Sequence, residues 1–459
     1  MAEVIVSQSE REFSLDELFF SITDPKGIIR SGNSVFVRVS GYTLDELLGR
    51  PHSIIRHPDM PRAVFKLLWT YLEAGKPIAA YVKNRAKDGA YYWVVATVTP
   101  IEGGYLSVRL KPSSPVLGVV RDVYREIVAY EHSLEATHAR KAVIELSSAR
   151  LLAKLNELGF PDYDTFMQKA LSGEMRSRAA ALASEPGQAP AARSATDSPF
   201  ALSLHEILHS SGGLLRYLDS LFANLDTYIS LNETLSRKAH FVLSLAEDIR
   251  IFTLNAILLA TRLDNAATLE EVAALMRERA VSTAGLIGHL GRDVDGVVAI
   301  LRDLNFQISV AKVQAEMARD FARDLLAEHD DTSADDRVRH DLRDLIQCLN
   351  LGMTEVFAAF SQVDQGLRTI GNAVDSLSHD LRSLGVLQVT GRVEAARIPE
   401  AGDFAHLFGE LKLKIDSASH EVVEFSDAVA LGRDTTRGNE STAADQMSRM
   451  VRRSVALAS

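Results

Sequence analysis

Cysteine is almost absent from this chain, which has one, Cys348, among 459 residues. A single cysteine excludes an intramolecular disulfide and a thiolate metal cluster. Its apolar, helical surroundings predict that Cys348 belongs to a core. Aromatic residues are also scarce, at 7%, and both tryptophans, Trp69 and Trp93, fall in the first quarter of the chain. This uneven distribution predicts an N-terminal domain that differs from the long remainder.

Long hydrophobic runs are missing as well. No stretch of about 18 apolar residues occurs, so the sequence predicts no membrane-spanning helix. The first residues have neither the basic region nor the apolar stretch of a signal peptide, which predicts a cytoplasmic location. The formal net charge of −11 disfavours a general nucleic-acid or anionic-membrane binder. With 46% apolar residues, the chain is long enough for two or more domains.

Residues 15–112 have the pattern of an α+β domain. Short β-type runs are separated by Gly-containing turns, and helical patterns lie between them. The predicted helices cover 33–40, 44–48 and 61–74. The predicted order is therefore a strand pair, then helices, then a three-strand meander. The clearest strands are Phe19–Thr23, Ile78–Asn84, Tyr91–Pro100 and Tyr105–Leu110.

The remainder is mostly helical in pattern. Residues 116–172 predict a helical connector, and 173–200 predict a flexible linker because they are small, polar and contain three prolines. From 201 to 431 the helical pattern is almost continuous, and 432–459 predict a polar tail. One stretch alternates apolar spacings of 4 and 3, as in a coiled-coil seam: Leu342, Ile346, Leu349, Met353, Val356, Phe360, Val363, Leu367, Ile370, Val374, Leu377, Leu381 and Leu384.

A repeat indicates how these helices are arranged. Two Ala-rich helical segments, 135 residues apart, end at Arg262 and Arg397, and each is followed by a short turn pattern. The midpoint between them falls in the acidic segment Glu328–Arg337. The chain is therefore predicted to form two hairpins, 201–327 with its tip near 263–267 and 338–431 with its tip near 398–402. Both hairpins together can fold one antiparallel four-helix coiled-coil bundle, with the two tips at the same end.

Residues 49–61 are the densest polar segment of the N-terminal domain. They contain two histidines, two arginines and an aspartate beside three prolines. Such a loop can line a pocket for an anionic or hydrogen-bonding ligand, or it can be a surface loop held by Arg–Asp pairing. Neither a familiar metal-ligand spacing nor a nucleophile–base set appears. The sequence therefore predicts no metal site and no enzyme.

Residues 19–110 resemble a PAS domain, and more narrowly the PAS domain of the aerotaxis receptor family. The resemblance rests on Asn33–Gly49, Arg56–Pro61, Lys83–Arg85 and the Tyr92-Trp93 pair. It implies non-covalent FAD, with haem as the weaker alternative. Residues 1–347 contain no cysteine, so the photo-adduct of light-sensing flavin domains is excluded. The resemblance implies a flavin pocket lined by Asn33, Arg56, His57, Asp59, Phe65, Trp69 and Asn84.

The chemistry of these residues suits a flavin. Asn33 and Asn84 can hydrogen-bond the polar edge of the isoalloxazine, and Trp69 can stack on a ring. Arg56 and His57 can meet the diphosphate or the charge of the reduced flavin.

The helical region is similar, twice, to the signalling hairpin of methyl-accepting chemotaxis proteins. The second tip retains the family's Glu and Arg as Glu394 and Arg397, whereas the first has Leu259 at the Glu position. This resemblance implies that Glu394 and Arg397 contact a chemotaxis coupling protein and a histidine kinase.

The two resemblances together predict a cytoplasmic redox or oxygen sensor with a chemoreceptor-like output. The alternative is a non-enzymatic scaffold whose bundle binds another partner without controlling a kinase. Homo-oligomerisation through the N-terminal domain or the bundle stays open.

Overall fold

The computed structural model describes residues 7, 9–184, 198–260, 267–328, 336–398, 401–436 and 440–458. These residues form two compact units. The first unit comprises the described residues within 1–222, 305–355 and 439–459, and the second those within 223–304 and 356–438. Most of the first predicted tip, at 261–266, part of the second, at 399–400, and the predicted reversal near 332 lie outside the described residues.

The N-terminal domain is built on a five-stranded antiparallel sheet in the order β2-β1-β5-β4-β3. The predicted strands are confirmed to within a few residues at each end. Because side chains alternate along each strand, the sheet has an inner face and an outer face. The strands are β1 Phe19–Thr23, β2 Ile29–Gly32, β3 Ile78–Arg85, β4 Tyr91–Ile101 and β5 Gly104–Leu110.

Three short helices follow β2, and they are α1 Ser34–Ser40, α2 Leu44–Leu47 and α3 Arg62–Glu73. A 3-10 turn, His52–Ile55, precedes α3. On the inner face, Phe19 of β1 stacks on Phe36 of α1 with ring centroids 6.2 Å apart. The predicted helices at 33–40, 44–48 and 61–74 are therefore confirmed.

The connector differs from its prediction. It consists of α4 Val116–Leu134, α5 Arg140–Glu157 and α6 Tyr163–Ser184. The prediction that 173–200 is linker throughout is wrong, because α6 continues through residues 173–184. Two buried side chains in this extension, Glu174 and Arg178, make tertiary contacts. Alanines near its end also favour helix.

The outer face of the sheet is covered by helices of the same chain. Trp93 of β4 packs on Tyr124 of α4, with ring centroids 6.2 Å apart. The Tyr124 hydroxyl donates to the Tyr81 carbonyl at 3.0 Å, and the Tyr163 hydroxyl of α6 donates to the Ala79 carbonyl at 2.9 Å. The sheet is therefore the middle layer of its unit.

The helical region comprises α7 Pro199–Ala223, α8 Leu225–Ala260, α9 Ala267–Glu328, α10 Asp336–Ala395, α11 Gly402–Thr436 and α12 Glu440–Ala458. Helices α9 and α10 have 62 and 60 residues. All thirteen residues of the predicted seam in α10 are buried, with at most 2% of their surface exposed. Within the described residues, no helix is long and apolar enough to cross a membrane.

Four helices of the second unit pack against each other within one chain. Thr283 of α9 donates to Asp380 of α10, and Gly366 of α10 faces Val297 fourteen residues further along α9. Helices α9 and α10 are therefore antiparallel, so the start of α9 and the end of α10 lie together. Helix α8 contacts α11 through the ion pairs of Lys238 with Glu421 and Glu424 and of Lys414 with Asp248.

The last helix corrects the prediction of a polar tail at 432–459. Helix α11 extends to Thr436, and α12 occupies Glu440–Ala458. In the first unit, α12 contacts α7, where Arg453 pairs with Glu206. The prediction missed this helix because the segment before it is polar. The buried residues of α12 recur at helical spacing and form one face: Ala443, Met447, Met450, Ser454 and Leu457.

Candidate functional site

A cavity of about 290 Å³ lies between α3 and the inner face of the sheet. Helix α3 contributes Phe65, Leu68, Trp69 and Leu72, and the segment before it contributes Pro51, His52, Ser53 and Arg56. The volume is close to the lower end, roughly 300 Å³, of cavities that hold small molecules. The turn between β1 and β2 contributes Lys26 and Gly27. The sheet lines the remainder through Ser21, Thr23, Val82, Asn84, Ala96, Val98, Tyr105, Ser107 and Arg109.

A buried arginine dominates the polar part of the cavity. Arg109 of β5 is 3% exposed, and its Nη2 donates to the Ser21 hydroxyl at 2.9 Å and to His52 Nε2 at 2.6 Å. Burial lowers the pKa of Arg109 to about 10, so the guanidinium stays charged at neutral pH. Burial, and then the charge of Arg109, lowers the pKa of His52 to about 3. His52 is therefore a neutral imidazole that accepts from Arg109.

Three polar groups on the cavity wall are buried but have no hydrogen-bond partner among the described residues. They are Arg109 Nη1, Asn84 Nδ2 and Ser107 Oγ. Buried polar groups are normally satisfied, and leaving a donor unsatisfied costs roughly 1–3 kcal/mol. All three groups can donate, so the cavity is suited to a ligand that presents hydrogen-bond acceptors or negative charge.

The opposite wall of the cavity is aromatic. Trp69 meets Tyr105 edge to face, with ring centroids 5.6 Å apart, and Arg56 lies 3.9 Å above the ring of Phe65. Gly27 has a φ of 76°, and a Cβ added there would lie 3.2 Å from Trp69. Phe65 and Trp69 of α3 thus place apolar ring surface across the cavity from the sheet, and Tyr105 adds a ring from β5. This arrangement suits a planar ring system with a polar edge.

The structure brings four of the seven predicted cofactor residues to this cavity: Arg56, Phe65, Trp69 and Asn84. Asn33 is not among the lining residues. Its side chain caps α1 by accepting from Phe36 N, accepts from Phe20 N and donates to Leu18 O, each at 3.2 Å. These bonds give Asn33 a structural role, and its predicted flavin contact stays a prediction.

His57 and Asp59 also lie away from the cavity wall. His57 Nδ1 accepts from Asp59 N at 3.1 Å, and burial, followed by the charge of Lys83, lowers the pKa of His57 to about 4. Asp59 is exposed and pairs with Lys83 at 2.7 Å, in a separate groove beside α4. Their predicted contacts with a cofactor remain predictions.

Arg109, His52 and Ser107 were not predicted as site residues. In the predicted strand Tyr105–Leu110, polar or amphipathic residues occupy every second position, at Tyr105, Ser107 and Arg109. This alternation, with a charge inside a short strand, was a signal that one face contacts something polar. His52 belongs to the polar segment 49–61, which can line a pocket by its composition, but only the fold places it against Arg109.

The predicted partner-binding residues lie at the end of α10. Glu394 and Arg397 form an ion pair at 2.8 Å, and the Arg397 side chain is 70% exposed. Three exposed apolar residues precede or adjoin them: Val386, Val389 and Val393. Helix α8 exposes Ile251, Leu254 and Leu258 at the positions 135 residues earlier. The repeat seen in the sequence therefore includes an exposed apolar stripe on each helix, which is a feature of interaction surfaces.

Residues 30–107 match the model of the PAS fold, which confirms the prediction of a PAS domain. The aerotaxis receptor of Escherichia coli (strain K12) is 41% identical over 129 residues, 27% of this chain and 26% of the receptor. The nitrogen fixation regulatory protein of Klebsiella pneumoniae is 31% identical over 81 residues, 18% of this chain and 16% of that protein.

The biofilm dispersion protein BdlA of Pseudomonas aeruginosa is 29% identical over 82 residues, 18% of this chain and 20% of that protein. These matches span about a quarter or less of the relatives' length.

Solved structures of light-oxygen-voltage domains are also similar. One, studied with a flavin analogue, has 25% identity and a TM-score of 0.22 over 24% of this chain and 89% of that chain. The light state of the Aureochrome1 domain has 27% identity and a TM-score of 0.21 over 22% and 88%. At these TM-scores the likeness carries no argument about a ligand.

Proposed function

We propose that this chain, with its PAS domain, is a redox or oxygen sensor that binds a flavin, FAD in particular, and signals through its helical region. The observation that carries the proposal is the set of buried donors on Arg109, Asn84 and Ser107, which lack partners among the described residues and face the aromatic wall of the cavity. The similarity to the aerotaxis receptor supports it.

The residues present fit an isoalloxazine ring. Its polar edge offers carbonyl oxygens and ring nitrogens as acceptors, which match the donors of Asn84, Ser107 and Arg109. Trp69, Phe65 and Tyr105 supply apolar surface for the ring system. A bound flavin would supply one- or two-electron chemistry. The permanent charge of Arg109 would favour a reduced flavin that carries negative charge.

Flavin is favoured over haem by the histidine on the cavity wall. His52 directs Nε2 to the Arg109 guanidinium at 2.6 Å, so this nitrogen is already engaged. Axial ligation of haem iron needs a free imidazole nitrogen or another ligand of that kind. His57 is buried elsewhere and does not line the cavity.

The direct test is the absorption spectrum of the full chain, purified and then supplied with FAD, FMN or haem. We expect a yellow protein whose flavin bands are bleached by dithionite and return in air. Chromatography of the ligand released by heat identifies it. A protein that retains none of the three ligands would contradict the sensor proposal, whereas a haem spectrum would mean that the cofactor is haem and not flavin.

For the output, we propose that the end of α10 docks a chemotaxis coupling protein, and through it a histidine kinase. Val389 and Val393 form the apolar part of this surface, and Glu394 and Arg397 form its charged part. Small apolar patches ringed by charges are typical of interfaces with a few energetically dominant residues. The first tip lacks the glutamate, so the second is the better candidate.

Val393→Asp is expected to weaken binding of the coupling protein about tenfold or more, because a charged carboxylate in the apolar part of the surface would have to lose its water on binding. Binding is measured by pull-down and calorimetry with the full chain, and Glu394→Ala tests the charged part in the same assay. Val423→Asp, on α11, is the matched control because Val423 is also exposed, at 57%.

Equal binding by wild type, Val393→Asp and Glu394→Ala would count against this surface. Absence of any binding by wild type would favour the alternative, a PAS scaffold whose bundle binds another partner without kinase control.

A further inference from the structure

The outer face of the PAS sheet rests on α9 and α10, in the same compact unit. Phe20 of β1 meets Phe321 of α9 edge to face, with ring centroids 5.0 Å apart. Gln314 of α9 donates to the Thr99 hydroxyl at 3.1 Å. Ser31 of β2 donates to the carboxylate of Asp341 on α10. Three strands of the sheet thus touch the long helices directly.

The burial of α9 shows how closely this region is packed. Eleven consecutive residues, Ile308–Ala318, are all buried. A helix at the surface of a bundle buries one stripe, so burial at every position means that α9 is enclosed on all sides here. Within this stretch Glu316 pairs with the buried Arg178 of α6, which also donates to Leu15 O at 2.9 Å.

The Ser31–Asp341 contact places an ionisable group inside this interface. Ser31 is 2% and Asp341 7% exposed. The charged groups around Asp341 are Arg337, His340 and Asp344 on its own helix. From the sheet side, β2 presents the uncharged Ser31, and Glu102 of the β4–β5 turn acts on Asp344.

We propose that the PAS sheet communicates with the helical output directly through its packing against α9 and α10, which is called the seat below. In this seat, the Ser31–Asp341 hydrogen bond is a proton-sensitive latch. A neutral Asp341 donates or accepts a hydrogen bond with Ser31 at little cost. An ionised Asp341 places a carboxylate in the interface opposite one hydroxyl, and Arg30, the cation next to Ser31 on β2, is exposed and donates to Gly103 O. The inference does not depend on which ligand the PAS cavity holds.

The direction of the pH effect follows from the raised pKa of the carboxyl group. Burial raises the pKa of Asp341 to about 7 from the ordinary 3.8. Between these two pH values, Asp341 therefore keeps its proton while the sheet is packed on α10 (the closed state) and loses it when the two separate (the open state). The protonated Asp341 contributes fully to the stability of the closed state below about pH 4. This contribution is lost as the pH rises to about 7. The latch should thus loosen progressively across this window.

Hydrogen exchange of the full chain at pH 5.5 and 7.5, corrected for intrinsic rates, tests the latch. In the wild type, linkage predicts that protection of peptides covering β2 and the first turns of α10 falls roughly tenfold or more between these pH values. Asp341→Asn, a neutral isostere, should stay protected at both. Ser31→Ala removes the bond that lowers the pKa of Asp341, so its loss of protection should be larger.

His340→Asn is the control for histidine titration and should retain a pH dependence, whereas Asp344→Asn, which removes a charge that raises the pKa of Asp341, should reduce it. The proposal is overturned if Asp341→Asn follows the wild type, if the wild type shows no pH difference, or if His340→Asn abolishes the response. Unchanged behaviour of Ser31→Ala would also count against the latch. The exchange experiment can be done on flavin-free protein, so its outcome does not depend on whether the sensor proposal is right.

Discussion

Arg109→Met is expected to lower flavin affinity roughly ten- to a hundredfold while leaving the PAS domain folded. Hydrogen bonds to a charged group contribute about 1.5–3 kcal/mol, and about 1.4 kcal/mol is a factor of ten in affinity. The methionine side chain would fill a similar volume without charge. Arg109 Nη1 has no partner among the described residues and would gain one from the ligand, so binding should lose this bond, while folding loses only the Nη2 bonds to Ser21 and His52.

The measurement is the dissociation constant from flavin fluorescence, with the melting temperature followed in parallel. Arg30→Met is the matched control, because Arg30 is exposed on β2 and donates to Gly103 O at 3.1 Å, away from the cavity. We expect it to bind flavin like the wild type. The assignment of Arg109 fails if Arg109→Met and the control retain flavin equally.

Removal of the Glu174 side chain is expected to cost about 3–5 kcal/mol of unfolding free energy, because several buried donors lose their acceptor at roughly 1–3 kcal/mol each. Glu174 of α6 is fully buried. Its carboxylate accepts from Ser113 N at 2.6 Å and Ser114 N at 2.9 Å, immediately before α4, and from the Tyr81 hydroxyl at 2.6 Å. Glu174→Ala leaves these donors buried and unpaired, next to the junction of β5 and α4.

Denaturant unfolding of the full chain, monitored by circular dichroism and by tryptophan fluorescence, separates the PAS domain from the helices. Glu174→Gln should cost less, about 1–2 kcal/mol, because its amide oxygen can accept the two backbone donors while its NH₂ faces hydroxyls that can accept.

Glu126→Ala is the surface control, with an expected cost below about 1 kcal/mol. Its carboxylate contacts Arg150 and Lys154 but is 40% exposed. Similar costs for Ala and Gln at 174 would mean that the network contributes little.

Local patterns in the chain were enough to identify most strands and helices and the helical organisation. Short β-type runs bounded by turn residues, such as Phe19–Thr23 and Tyr105–Leu110, identified strands. The spacing from Leu342 to Leu384 identified a seam, and the Ala-rich repeat identified paired helix ends. Arg56, Phe65, Trp69 and Asn84 were found through the family resemblance, and the cavity contains all four.

Which side chains meet depends instead on the packing of distant segments. Nothing local couples His52 to Arg109, or Ser31 to Asp341, since each pair is brought together by strands and helices far apart in the chain. The same reason explains the two boundary errors. Glu174 and Arg178 extend α6 into a segment of linker composition, and a face of α12 becomes buried only because the chain returns to α7. Periodicity and propensity describe a residue's neighbours along the chain, whereas burial and hydrogen bonding depend on neighbours in space.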